Sequence, residues 1–353
     1  MMIKKTATYF FIFGMLFSCA PKIKDFNKYQ KQFFSKTSFM PSQEDLNGKL
    51  PKVVVFSLDE NDNQTASKAG LGISIANNIE NVLSKNKLAQ IVDRNAADKL
   101  QQEIALAEIN KSGSYKGPQI AEYAISGAIG NASFNSKYSS GGAFLNPKTG
   151  TIVTVPPKYK YNSLAVGNIK IYELPSLNIL QAIEFNGRAG RTEDVRNNGG
   201  VNFGGISIGG EQVAGADKDD GLVRKAGEDA IDNIRAEIQN IFAKQGYIME
   251  KRGFKKKSIF KINLGSSDGI VQGDKFEIIG QFENQNSINN QVEVEKRIIA
   301  TGKISDIIDP KNAWIIIDDS ENNDKIRLGD VVKIKYKRSK MDKFAKVALS
   351  VIE

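Results

Sequence analysis

Two runs, Ala124-Ile-Ser-Gly-Ala-Ile-Gly130 and Leu164-Ala-Val-Gly-Asn-Ile-Lys-Ile-Tyr-Glu173, decide the fold. The first is short and apolar and predicts a buried strand; the second alternates and predicts another. Pro175-Ser-Leu-Asn178 makes the turn into a third strand, Ile179–Phe185. A Gly-rich run follows, and a long helix closes the unit. Two long insertions, Asn131–Ser163 and Arg188–Gly215, flank this pair of strands.

Upstream, Pro51-Lys-Val-Val-Val-Phe-Ser-Leu58 predicts a strand and Asp59–Asn63 an acidic turn. That turn lacks the spaced ligands and Gly of a calcium loop. Leu71, Ile75, Ile79 and Val82 place one apolar face on a helix over Thr65–Lys85. Ala89–Val92 is a short strand, and Asp93 caps a helix carrying Ala97, Leu100, Ile104 and Ala107. Ser112-Gly113 ends it, and Gly117-Pro118 begins a short helix leading into Ala124. Downstream, Ile231, Ile234, Ile238 and Ile241 mark a helix over Leu222–Lys244, with Gly246 as its stop signal. The order βαβαβββα predicts a mixed sheet with packed helices, an α+β architecture.

Composition narrows the chemistry. The 353 residues are enough for about two domains. With no His and one Cys, His-based catalysis, zinc sites of the usual kinds and an intramolecular disulfide are excluded. No Ser or Asp/Lys constellation stands out, so neither an enzyme nor a metal or other cofactor is expected. The glycine pairs of 199–210 lack the Lys of a phosphate loop. A net charge of +9 fits nucleic acid or an anionic envelope polymer. The N-terminus decides for the envelope, with no nucleic acid as partner.

Lys4-Lys5 is a positive n-region, and Ala7–Phe17 is an apolar stretch too short to span a bilayer as a helix. It ends in Leu16-Phe-Ser-Cys19, which resembles the lipobox of bacterial lipoproteins. The resemblance implies a signal peptide over 1–18, cleavage before Cys19, and acylation of Cys19. Several acyl chains anchor stably where one is marginal. By the same resemblance, Ala20 in place of Asp implies sorting to the outer membrane, with the bulk of the chain in the periplasm. Residues 19–50 are polar, without clear periodicity, and read as a tether.

Residues 52–244 resemble the periplasmic domain of the curli-secretion-channel lipoproteins. The resemblance lies in Val53-Val-Val-Phe-Ser-Leu-Asp59, Ala89-Gln-Ile-Val-Asp-Arg94, Ile125-Ser-Gly-Ala-Ile129 and Val166–Glu173, in that order. They are also similar to lipoprotein activators of penicillin-binding proteins. The resemblance implies a CsgG-like domain over 51–250. In the channel branch two hairpins per subunit build an oligomeric β-barrel, and here the insertions 131–163 and 188–215 occupy their places. Each is long enough for two membrane strands. Ile152, Val153, Val155, Val201, Phe203, Ile206 and Ile208 are the candidate membrane residues, with Phe203 expected toward lipid and Asn202 toward the lumen. Pro156-Pro157 and the charges of Arg188–Val195 favour the other reading, flexible periplasmic loops. The channel branch also carries an aromatic constriction loop; the corresponding Glu60–Gln64 has no aromatic residue, so any throat here is built differently.

Lys251–Lys257 reads as a basic joint, either a solvated linker or a contact for anionic lipid or glycan. Beyond it, Gly273-Asp-Lys-Phe-Glu-Ile278 recurs as Gly329-Asp-Val-Val-Lys-Ile334, with strands at Ala300–Asp306 and Ala313–Ile317 between. Short strands with regular Gly-Asp turns predict a small SH3-like β-barrel over 255–338. Residues 260–336 resemble the C-terminal barrel of a flagellar H-ring protein. Asp268, Asp274 and Asp330 are turn residues on this reading, not a catalytic set. Residues 339–353 read as a short tail helix with Phe344, Val347 and Val351 on one face.

The expectation is an outer-membrane lipoprotein that forms a homo-oligomeric secretion channel or ring, with a secreted or envelope protein as partner. The alternative is a periplasmic lipoprotein that activates a peptidoglycan synthase or braces a flagellar basal body.

Overall fold

The computed structural model describes residues 21–48, 50–97, 100–102, 104–105, 120–195, 201–203, 206–208, 218–285 and 292–337. Cys19, the signal segment, the short helix expected after Gly117-Pro118 and the expected tail helix lie outside the described residues. The chain divides into two compact units, one of Met1–Gly48 with Gln245–Lys335, the other of Lys49–Lys244 with Tyr336–Glu353. The architecture is α+β with a closed six-stranded antiparallel barrel.

In chain order, β1 (Gln30–Gln32) and α1 (Gln43–Asn47) come first, the helix opened by a reciprocal Ser42–Asp45 capping box. The second unit then begins with β2 (Lys52–Val55), α2 (Gln64–Ala69), α3 (Leu71–Lys85) and β3 (Gln90–Val92). Next come β4 (Tyr123–Ser139), β5 (Gly142–Leu145), β6 (Ile152–Val155), β7 (Lys158–Glu173) and β8 (Asn178–Asp194). After the short β9 (Val201–Phe203) and β10 (Ile206–Ile208), α4 (Asp220–Ile241) ends the run. The main sheet has the order β3-β2-β4-β7-β8, with β2 parallel to β3 and β4, and β4, β7 and β8 antiparallel.

Both faces of β2 are covered, so it reads as an unbroken apolar run. Val53 and Val55 meet Ile75 and Ile79 of α3 and Ile231, Ile234 and Ile238 of α4 in the larger core. Val54 and Phe56 turn the other way, into a smaller core with Leu100, Ile104 and Tyr172. Each fully buried side chain of this kind contributes about 1.5–3 kcal/mol. The helix expected over 65–85 is two helices: Gly70, at φ 59°, ends α2, and its N–H bonds back to Ala66 and Ser67. The closing helix stops at Ile241, and Gly246, expected as its stop signal, is already in a strand.

The other unit is built from β11 (Gln245–Phe254), β12 (Lys257–Ile262), β13 (Lys275–Gln285), β14 (Val292–Ile308), β15 (Ala313–Ile317) and β16 (Val331–Lys335). They close in the order β11-β12-β15-β14-β13-β16, with Gln245–Tyr247 of β11 pairing back to β16. Phe260, Phe276, Ile278, Ile304, Ile315 and Val332 are buried. Two expectations are corrected here. The basic joint Lys251–Lys257 is the β11–β12 hairpin itself, so this unit begins at Gln245 rather than 255. Lys251 is buried and its ammonium reaches Asp324 at 3.2 Å, which is why a charge run fits inside a strand.

The expected tether is largely part of the barrel unit. β1 pairs with Lys251–Gly253 of β11, and Ile23 and Tyr29 bury against Ile259 and Trp314. Phe26 meets Trp314 edge-on at 5.1 Å, and the Arg252 guanidinium lies 5.0 Å from the Phe26 ring and 4.9 Å from the Trp314 ring. Three apolar residues in a polar run give no visible period, but they are enough to dock.

Candidate functional site

β4, β7 and β8 run well past the core as a three-stranded blade. Beyond Asn131, β4 adds eight residues, roughly 26 Å at about 3.3 Å each. The register is continuous to the end: Ser139 pairs with Lys158, and Lys158 with Asp194.

α4 clamps the blade at its root. Gly187 lies so close that a Cβ there would stand 2.2 Å from the Ala226 carbonyl oxygen and the Ala230 nitrogen. Asn233 donates to the Asn186 carbonyl at 2.7 Å. At the helix start, Asp219 accepts from the Leu222 N–H and also holds the Arg191 guanidinium at 3.1 Å. Arg191 in turn lies 5.0 Å over the Tyr161 ring.

Paired residues share a face, so the register sorts the blade into two. One face carries an aromatic ladder. Phe134 stacks on Tyr161 at 5.9 Å, Tyr161 on Tyr159 at 6.1 Å, and Tyr159 meets Tyr138 at 5.2 Å. This face continues the core side, where Ala132 and Ala165 are buried. The opposite face is polar: Asn135 pairs with Asn162, Lys137 with Lys160, and Lys160 with Thr192. Among the described residues no strand pairs with the outer edge of β8, and β2 pairs only with Tyr123–Ile125 of β4. The blade therefore has two open edges.

The predicted membrane residues fall into two groups. Ile152, Val153 and Val155 lie on β6, which pairs with β5 in a small hairpin at the blade's tip. All three are exposed, Ile152 at 71%, and Leu145 opposite it at 63%. Asn146–Thr151 forms the turn, closed by the Asn146 N–H to the Thr151 carbonyl at 2.8 Å. Val201, Phe203, Ile206 and Ile208 lie on β9 and β10, which pair with each other over three residues. Their side chains, and the lipid and lumen directions expected for Phe203 and Asn202, lie outside the described residues. One expectation changes: the second insertion does not pair with itself from Arg188 onward. Arg188–Asp194 instead continues β8 along β7. The ladder residues Phe134, Tyr138, Tyr159 and Tyr161 were missed in the sequence, although their period of two is visible in 134–138 and 159–163.

Other candidate chemistry resolves into structure. A crevice of about 680 Å³ opens at the end of β2, lined by Asp59, Glu60, Asp62, Ser126, Asn168 and Lys170 among others. Its acidic turn is engaged locally: Glu60 accepts from the Gly72 N–H, Asp59 from the Asn61 N–H, and Asn63 caps α2. In the barrel unit Asp268, Asp274 and Asp330 make the same contact. Each carboxylate accepts the N–H of the residue three positions before it, Gly265, Val271 and Arg327. Gly273 and Gly329, at φ 89° and 88°, supply the left-handed turn before the last two. Burial raises the carboxyl pKa of Asp274 and of Asp330, against the lowering pull of their hydrogen bonds. Among the described residues no three Asp, Glu, Cys or His side chains gather as a metal-holding group, and no helix is long and apolar enough to cross a membrane.

No protein-family model matches the chain, and no curated protein matches it closely enough to indicate a relative.

Proposed function

We propose that this protein is a non-enzymatic, lipid-anchored outer-membrane protein whose copies join through the blade into a ring or secretion channel. The observation that carries the reading is the two-faced blade with two open edges. A lone open blade cannot sit in lipid, because unpaired strand edges have no water to bond. Neighbouring copies satisfy those edges by strand addition, and the outer end of the aromatic ladder, at Tyr138 and Tyr159, then faces lipid while the polar face lines the lumen. β4 and β8 both run toward the tip, so direct joining of β8 to the next copy's β4 gives a parallel pair. The barrel unit is SH3-like on this reading and stays periplasmic, its N-terminal segment leading back to an acylated Cys19. Light scattering on detergent-extracted protein tests the reading: a discrete multiple of the 38.8 kDa chain, less its signal peptide, supports it. A monodisperse monomer opposes it.

One observation favours the alternative, a periplasmic activator of a peptidoglycan synthase or a flagellar brace. Arg191 and Glu193 stand on the aromatic face, joined at 3.3 Å, and charge is disfavoured toward lipid. On that reading the ladder docks a protein.

A further inference from the structure

The two faces of the blade treat charge differently. On the aromatic face Arg191 has two carboxylates, Glu193 at 3.3 Å and Asp219 at 3.1 Å. On the polar face Lys137 and Lys160 are direct cross-strand partners, and Lys158 stands two residues from Lys160 on the same side. Like charges placed opposite each other destabilise a sheet. Asp194 is opposite Lys158 in register, and Thr192, not an acid, is opposite Lys160. Among the described residues none of the three lysines has an ion-pair partner. The strands therefore hold a cation cluster that an external anion would neutralise.

We infer that Lys137, Lys158 and Lys160 bind an acidic, extended polypeptide lying along the blade. Lys158 and Lys160 project from one strand about 6.6 Å apart, the spacing at which alternate carboxylates project from an extended chain. Charge complementarity and this repeat select a carboxylate-bearing chain over a single small anion. The inference deepens the ring reading, in which this face lines the lumen and an exported acidic segment is the occupant. The binding itself needs no closed ring.

The full chain, purified in a neutral detergent, is titrated against a fluorescein-labelled oligoglutamate peptide and followed by fluorescence anisotropy. Binding is expected at low salt and lost at high salt, as for exposed charges. The combined Lys137→Gln, Lys158→Gln, Lys160→Gln variant should bind about tenfold more weakly or worse. Lys255→Gln, Lys256→Gln, Lys257→Gln, on the exposed β11–β12 turn, should bind as the parent does. Equal binding by both triple variants overturns the inference. So does binding to phosphatidylglycerol vesicles without binding to the peptide, which assigns the lysines to a membrane surface. Peptide binding by a chain that light scattering finds monomeric keeps the inference and removes the ring.

Discussion

Gly187 is where the blade and α4 meet most closely, and the side-chain hydrogen is the only group with room there. Gly187→Ala puts a methyl group into the Ala226–Ala230 backbone, so helix and strand must separate. A loss of about 1–3 kcal/mol is expected from overpacking. Urea unfolding of the full chain followed by far-UV circular dichroism checks it, and an unchanged midpoint would contradict the packing. Asp274 offers a test of opposite character. Its carboxyl is raised by burial, so the folded state holds the proton more tightly than the unfolded chain. That contribution is complete below the ordinary carboxylate pKa and is lost as pH rises through the raised value. Asp274→Asn keeps an oxygen for the Val271 N–H and removes the titration. The variant should therefore gain stability relative to the parent as pH rises from the ordinary carboxylate value upward through the raised one. A difference that is flat or falls over that range would place the shift elsewhere.

At the scale of elements, the blade makes a sharp distinction between neighbours. Phe134 is on the ladder face and Asn135 on the polar face. In a membrane-spanning arrangement Arg costs roughly 2–4 kcal/mol on the lipid side near mid-bilayer and about nothing toward the lumen. Tyr138→Arg, at the exposed end of the ladder, should impair assembly in membranes, while Asn135→Arg assembles as the parent does. Native gels of detergent extracts distinguish the outcomes, and equal assembly of both would make the blade a solvated projection. In the barrel unit, Trp314 is the chain's one tryptophan and sits under the docked N-terminal segment. Trp314→Ala should cost about 3–5 kcal/mol and free residues 21–37 to limited proteolysis. Unchanged cleavage of that segment would argue that it is held elsewhere. The elements legible in the sequence were those with many apolar residues in strict period: α3 through Leu71, Ile75 and Ile79, α4 through its isoleucines, and the β4–β7 pair. The docked segment was not legible, because Ile23, Phe26 and Tyr29 bury against Trp314, nearly the whole chain away. The basic run misled for a related reason: Lys251 is buried along its stem and brings its ammonium to the Asn323 carbonyl and the Asp324 carboxylate, while Lys255–Lys257 are exposed at the hairpin turn. Charge count alone does not separate those roles.

At the scale of the whole molecule, the two candidate insertions were visible as lengths, but their use was not. The first forms the tall β4–β7 hairpin and its apolar tip. The second spends its opening residues lengthening β8, a choice set by pairing with β7 that Gly content does not reveal. What emerges is a sheet with one aromatic face, one basic-polar face and, among the described residues, two open edges, which the proposed ring requires other copies of the chain to close. Negative-stain imaging of detergent-extracted protein tests this most directly. Closed rings of uniform diameter with a stain-filled centre are the expected result. A field of single particles without rings, from protein extracted intact from membranes, would contradict it.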